Sequence, residues 1–276
     1  MLLDLGLQVR DNPFKRKLTE DEIIRHLDGA DGLIAGLEPL NERVLVACPK
    51  LKAIARVGIG MDNVDQESCR RLGIKVSNTP DGPTEAVVEL TLAALLCIAR
   101  GIIQTNDAVH RGKWEKSIGF SLTDLKVLVV GAGRIGRKVA ALLTVLGSEV
   151  RTCDPWADAD YNSLDEALPW AEVVSLHASG NEKLIGRKQI ARMRDGVVLL
   201  NSARGGLVDE DALYDGLNSG KIQSCWLDVF CEEPYNGKLA SCPRALLTPH
   251  ISTYTRQCRL AMEVDAVNNL LRDLDI

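Results

Sequence analysis

Three residues in the C-terminal half of this chain are of the types that proton transfer and anion binding require. Arg204 follows the apolar run VVLLN and stands before two glycines in NSARGGLVDEDAL, Glu233 lies in SCWLDVFCEEP, and His250 follows ALLTP. A buried strand should not deliver a charge to its end without a partner. A guanidinium, always protonated and presenting a planar fork of donors, suits a carboxylate or phosphate there. The competing reading of Arg204 taken alone is a weak surface pair with Asp209 or Glu210. A histidine with a carboxylate neighbour is held in one orientation and its protonated form is stabilised, which suits moving a proton near neutral pH. If the three runs are strands of one parallel sheet, all three residues share its carboxyl edge, where ligands of open α/β sheets bind. The chemistry such a set can do is the interconversion of an alcohol and a ketone, with an acid or base for the hydroxyl proton and a cation for the substrate.

That chemistry needs a hydride carrier, and KVLVVGAGRIGRKVA provides a place for one. Gly131, Gly133 and Gly136 have the GxGxxG spacing, follow an apolar strand and open a helix, and Asp154 closes the next strand, SEVRTCD. The glycines allow a tight turn and close backbone approach, the helix N-terminus attracts a pyrophosphate, and the carboxylate accepts ribose hydroxyls. An aspartate repels a ribose 2′-phosphate, and no basic residue follows it in CDPWAD, so NAD is expected rather than NADP.

Short apolar runs alternate with helical patterns from about residue 120 to 250, the rhythm of βαβ units on a parallel sheet covered on both faces. Before them DGLIAG, LKAIARVG and IKVSNTP read as three more strands, with a further one at GLQVRD, and TPDGP at 79–83 as a boundary. The expected fold class is α/β with two doubly wound parallel-sheet domains. Residues 80–251 form a Rossmann cofactor domain. Residues 1–79 and 252–276 form a smaller, flavodoxin-like substrate domain, the amphipathic TRQCRLAMEVDAVNNLLRDL crossing back to it, with a cleft between the two. The helix TEAVVELTLAALLCIARG is apolar nearly all round, as a helix between domains or subunits would be. A net charge of −5 argues against nucleic acid. No apolar stretch reaches the roughly 18 residues that cross a bilayer, and no basic-then-apolar leader opens the chain, so a cytoplasmic protein without a membrane partner is expected. Eight cysteines show no CxxC pair and no metal-like spacing, so reduced thiols and no metal are expected.

Together NSARGGLVDEDAL, LDVFCEEP, TPHIS, RVGIGMDNVD and GAGRIG resemble the NAD-dependent D-2-hydroxyacid dehydrogenases, nearest the phosphoglycerate dehydrogenase branch, over almost the whole chain. The resemblance implies hydride transfer between NAD(H) and a small 2-hydroxy or 2-keto acid. It implies that Arg204 binds the substrate carboxylate and carbonyl oxygen, that His250 is the general acid/base and that Glu233 pairs with it. Asp228 would contact the nicotinamide amide, Arg134 and Ile135 the pyrophosphate, and Ser202 the cofactor. Backbone amides of Val57, Gly58 and Ile59 would receive the substrate carboxylate. The helix from Glu85 to Arg100 would lie in a homodimer interface.

Departures from the family pattern bear on the substrate. The strand DGLIAG ends in Ala35 and Gly36, where phosphoglycerate dehydrogenases usually place an arginine for the substrate phosphate; GKWEKSIG lacks part of the expected basic character; and PHISTYT replaces PHIGAST. Lys15, Arg16 and Lys17 form the one basic loop that could supply charge instead, unless they are a solvated turn that Glu20, Asp21 and Glu22 neutralise. The start MLLDLGLQVRDN resembles the end of the family's first helix and its second strand, so the first strand of the smaller sheet is expected to be missing. Three readings stand at this point: an enzyme, an NADH-responsive binding protein of the corepressor kind, and an inactive fragment lacking its first strand.

Overall fold

The computed structural model describes residues 1–276, and the chain divides into two compact units, residues 1–84 with 254–276, and residues 85–253. In the first unit the elements are α1 (Glu20–His26), β1 (Gly32–Ala35), α2 (Glu42–Ala47), β2 (Ala53–Arg56), α3 (Gln66–Leu72), β3 (Lys75–Asn78) and the C-terminal α10 (Arg256–Asp273). The strands are parallel in the plain order β1-β2-β3. The two-residue period of a strand gives β2 two different faces. Ile54 joins Ile23, Leu40, Val44, Leu45 and Cys69 under the helices α1 to α3, while Ala53 and Ala55 pack against Ala266 and Leu270 of α10. The small alanines let that helix lie close to the sheet.

One expectation for this unit is corrected. Residues 6–11, read as a strand, belong to none: a strand needs a neighbouring edge to bond to, and Arg10 instead reaches the carbonyls of His26 and Asp28 at 3.3 and 2.7 Å. Helices cover both faces of this sheet, and the reversal of strand order lies in the larger sheet. In the basic loop, Arg16 is engaged in a two-pronged ion pair with Glu22 at 2.9 and 2.7 Å, and this pair, with the Thr19 amide, holds the Glu22 carboxyl down to about 2.

The second unit runs α4 (Pro83–Arg100, its first two residues in the other unit), α5 (Ile102–His110), β4 (Lys126–Val130), α6 (Arg134–Val145), β5 (Glu149–Cys153), α7 (Leu164–Ala167), β6 (Val173–Leu176), α8 (Arg187–Arg192), β7 (Val197–Asn201), α9 (Glu210–Ser219), β8 (Ile222–Leu227) and β9 (Ala245–Leu247). All six strands are parallel, in the order β5-β4-β6-β7-β8-β9. Outside β5 a single isolated bridge joins Cys153 to Tyr161.

Both faces of this sheet are covered, which is why its strands read as unbroken apolar runs rather than alternating ones. Leu128, Val130, Leu199 and Leu227 face the core beneath α8 and α9. Val127, Val129, Leu200 and Trp226 face the core beneath α4 and α6. The helix α4 buries Val88, Ala94 and Leu95 and leaves Leu96 exposed. A bend of 62° separates it from α5, and no single helix is long and apolar enough to cross a membrane.

Leu199 has no exposed surface at all. Leu199→Ala removes its contacts and leaves a cavity in a sheet that cannot collapse, so unfolding in urea should show a loss of about 2–5 kcal/mol. A loss under about 1 kcal/mol would mean that this core repacks freely.

Candidate active site

The larger sheet reverses its winding between β4 and β6, and at that point the chain turns from β4 into α6 through Gly131, Ala132 and Gly133. Gly131 has φ +99, and a Cβ on it would lie 2.6 Å from the backbone of His177 and Ala178 at the end of β6. A Cβ on Gly136 would run into the Gly131 carbonyl oxygen. These two glycines therefore let loop, helix and sheet meet closely. Gly133 differs: nothing lies within 4 Å of the position its Cβ would take. It opens the 12-residue helix α6 without a side-chain cap, and Arg134 in the first turn is exposed. A glycine turn that leads into the positive end of a helix fits the diphosphate of a dinucleotide.

Asp154 follows β5 and closes this cradle. One carboxylate oxygen accepts from the Ala132 amide at 2.8 Å, and the other accepts from the Trp156 amide at 2.9 Å. The carboxylate is thus held beside the glycine turn, with acceptor sites left for ribose hydroxyls. Ser202, just past β7, sits 3.5 Å from the Thr91 hydroxyl of α4.

Three adjacent strands carry the remaining residues to the same carboxyl edge. After β7 the fully buried Asn201 ties its own turn: its amide nitrogen donates to the Arg204 carbonyl at 2.9 Å, and its oxygen accepts from the Ala203 amide at 3.0 Å. Arg204 donates to the Ala203 carbonyl at 2.7 Å. A Cβ on the next residue, Gly205, would overlap the Phe230 carbonyl, so this loop lies directly against the one after β8. That second loop positions Glu233, whose carboxylate accepts from the Phe230 amide at 3.1 Å. After β9, His250 places Nδ1 at 2.9 and 3.2 Å from the two Glu233 oxygens. A carboxylate only accepts, so Nδ1 carries a proton and Nε2 is left for a reacting group. Histidine and glutamate side chains are 41 and 31 % exposed: accessible, but not fully solvated.

Asp228, which the resemblance places at a nicotinamide amide, is completely buried and also holds the turn that bears His250: its oxygens accept from the Thr248 hydroxyl at 2.6 Å, the Ile251 amide at 2.9 Å, the Ser252 amide at 2.8 Å and the Ser252 hydroxyl. Three residues escaped notice in the sequence. Two are Thr248 and Ser252, whose hydroxyls flank the histidine and bond to Asp228. The third is His177, which follows β6 at the same sheet edge and places Nε2 at 2.8 Å from the Ser175 hydroxyl; its position after an apolar strand was the available signal.

In the first unit, Val57, Gly58 and Ile59 follow β2. The Val57 amide donates to the Ala35 carbonyl at 2.9 Å and the Gly58 amide to the Thr79 hydroxyl at 2.7 Å. Of the three amides expected to receive a carboxylate, two are therefore committed within the unit. At the end of β1, the Gly36 amide donates to the Glu38 carboxylate at 2.8 Å.

Comparison with known proteins agrees with the motifs. The family model described as "D-isomer specific 2-hydroxyacid dehydrogenase, NAD binding domain" matches residues 92–252. Hydroxypyruvate reductase of Thermotoga maritima is 34% identical over 274 residues, taking in 94% of this chain and 90% of that protein. D-3-phosphoglycerate dehydrogenase of Archaeoglobus fulgidus is 33% identical over 271 residues, 92% of this chain but 51% of that protein; the chain spans about half the length of such relatives. Among solved structures, the TT0316 protein of Thermus thermophilus superposes with a TM-score of 0.93 at 35% identity, covering 99% of this chain and 92% of that one. D-lactate dehydrogenase of Aquifex aeolicus, complexed with NAD and lactic acid, superposes with a TM-score of 0.85 at 29% identity, covering 99% and 91%.

Burial pushes the His177 imidazole down to about 4 from its ordinary 6.5. Between those values the unfolded chain binds a proton that the folded chain refuses, so stability is complete above about pH 6.5 and falls as pH drops toward 4. Thermal melts from pH 7 to 4.5 should lose on the order of 1–3 kcal/mol from this source, and His177→Gln, which keeps a polar partner for Ser175, should flatten that part of the curve. Equal acid sensitivity in both proteins would contradict the assignment.

Proposed function

The chain belongs to the D-isomer specific 2-hydroxyacid dehydrogenases, and on that premise we propose that it interconverts small, unphosphorylated 2-keto acids and D-2-hydroxy acids, with Arg204, His250 and Glu233 carrying the chemistry. NAD(H) supplies or accepts the hydride, held by the cradle of Gly131, Gly133, Arg134, Ile135 and Gly136, with Asp154 on its ribose and Ser202 beside it. The observation that carries this reading is the contact of His250 Nδ1 with Glu233 at 2.9 Å, on the sheet edge that also bears Arg204.

Each residue has a physical task. The Arg204 fork binds the substrate carboxylate and polarises the neighbouring carbonyl, stabilising the negative charge that grows on its oxygen. His250, turned by Glu233 so that Nε2 faces outward, gives that oxygen a proton in reduction and takes it back in oxidation. Glu233 keeps the ring in one orientation and offsets its positive charge while it holds both protons.

The absence of a phosphate on the substrate is argued from charge. The end of β1 offers Ala35 and Gly36, with the Glu38 carboxylate already on the Gly36 amide, and Arg16 is engaged by Glu22. Hydroxypyruvate and glyoxylate, the acids after which two relatives are named, are the substrates of choice. Eight unpaired thiols support a reducing compartment, the cytoplasm.

With NADH, hydroxypyruvate or glyoxylate should be reduced with a kcat/KM at least about tenfold above that for phosphohydroxypyruvate, and His250→Ala should lower kcat by roughly 10²- to 10⁴-fold while NADH binding stays intact. A preference for the phosphorylated acid would overturn the substrate, and full activity in the variant would overturn the role of His250.

The proposed assembly is a homodimer formed by the second unit. Leu96, Ile102, Ile103 and Val109 of α4 and α5, Trp114 at 84 % exposure and Val145 of α6 at 82 % are more apolar surface than a monomer ordinarily leaves wet. Light scattering at micromolar concentration should give about twice 30.1 kDa, and a monomer there would refute it.

A further inference from the structure

One short segment carries Arg204 and also grips the loop that carries Glu233. From Arg204 the chain runs through Gly205, Gly206, Leu207 and Val208 to Asp209 and Glu210, where α9 begins. Its far side is fastened to the chain ahead of α8: the Leu184 and Ile185 amides both donate to the Leu207 carbonyl at 2.9 Å, and the Asp209 amide donates to the Ile185 carbonyl at 2.8 Å. Its near side meets the Phe230–Cys231 peptide bond twice. A Cβ on Gly205 would overlap the Phe230 carbonyl and lie 2.5 Å from the Cys231 nitrogen, so glycine is what lets the two backbones touch. Further along, the Glu210 carboxylate accepts from the Cys231 amide at 3.0 Å. Neighbouring groups register the same carboxylate: burial and then Glu210 raise the Cys231 thiol, and Glu210 adds to the rise that burial gives the Tyr235 hydroxyl. Within the loop the Phe230 and Tyr235 rings stack with centroids 4.3 Å apart, and the Phe230 amide donates to Glu233 at 3.1 Å.

We propose that Glu210 is a positioning residue for the reaction: it holds the Glu233 loop against the segment that bears Arg204, so that the carboxylate orienting His250 and the guanidinium keep a fixed spacing. The inference rests on the reading of Glu233 as the partner of His250. Capping does not explain the reach of Glu210, because Asp209 caps α9, accepting from the Ala212 amide at 3.0 Å while Lys183 holds its other oxygen at 2.7 Å. Connectivity does explain it. Arg204 and Glu233 leave different strands, β7 and β8, and past the strand ends the spacing of their loops depends on contacts between them. The contact at Gly205 limits how closely the loops approach but does not stop them from parting. The bond from Cys231 to Glu210, charge-assisted and so among the stronger kind, supplies the attraction. A displacement of about 1 Å at a reacting group can cost up to about 10²-fold in rate.

The test uses two substitutions that separate reach from charge. Glu210→Gln keeps an acceptor at the same reach, whereas Glu210→Asp keeps the negative charge that favours the start of a helix but draws the carboxylate back from Cys231 by one methylene. With NADH and hydroxypyruvate, Glu210→Asp should lower kcat about 5- to 30-fold and Glu210→Gln less than about threefold, while the NADH dissociation constant from fluorescence changes less than about twofold in both. In a Glu233→Ala background Glu210→Asp should cost less than about twofold further, because the group it positions is gone. The reverse order, an active Asp variant beside an impaired Gln variant, would make Glu210 a helix charge and overturn the proposal. So would an undiminished loss in the Glu233→Ala background, a loss of NADH affinity in step with kcat, or an unchanged kcat in Glu210→Asp. If Glu210→Asp does not fold, Glu210→Ala takes its place in the same cycle against Glu210→Gln. Full activity in Glu233→Ala alone is a different result: it overturns the reading of Glu233 from which the inference starts.

Discussion

The parallel hydrogen-bond ladder across β7, β8 and β9 does not stop where the strands stop, and the site depends on its overrun. Past the last paired residues the Asp228 amide still donates to the Asn201 carbonyl and the Thr248 amide to the Leu227 carbonyl, at 2.9 and 3.0 Å. Asn201, in register with Leu227 and Leu247, and the residues one step further on their strands, Asp228 and Thr248, are therefore fixed at the edge of the sheet. Each spends its side chain on the loop leading away from it or on a neighbouring one: Asn201 on the turn to Arg204, Asp228 on the turn around His250, Thr248 as the relay from Trp226. The residues proposed to react are thus carried on loops, but the loops are bonded to a rigid edge at the first residue, which keeps their side chains in register.

Much of this was legible because parallel sheets write themselves plainly in sequence. The runs KVLVV, VVLLN and SCWL are apolar throughout because both faces are covered, and that same continuity marks where each strand delivers a polar residue. GAGRIG could be read because each glycine answers a separate steric demand, two of close contact and one of open approach. Arg204, Glu233 and His250 were found by their shared edge, and the structure brings the last two into hydrogen-bond contact.

What stayed hidden depends on three-dimensional accounting. The turn that Asp228 holds could not be read from its motif, because the partners are two backbone amides and two hydroxyls some twenty positions away. GLQVRD has the alternation of a strand, yet alternation describes a residue's two faces and says nothing about whether an edge is there to receive it. The basic loop could be read two ways, as a substrate site or as a turn neutralised by the acidic residues after it, and the capping box at Thr19 and Glu22 favours the second by bringing a carboxylate to Arg16. The loop after β2 likewise spends two of its three amides on Ala35 and Thr79, which no local pattern discloses.

The placement of α10 against Ala53 and Ala55 sets an order of events during synthesis. The six-stranded unit is continuous in sequence, residues 85–253, and every strand it needs has been made once β9 leaves the ribosome. The three-stranded unit is made first but closes last, since one face of its sheet has no cover until residues 254–276 emerge. The nascent chain carries an uncovered alanine face through the whole translation of the larger unit. A ribosome stalled within the final helix would leave the nucleotide-binding half folded and the first unit open.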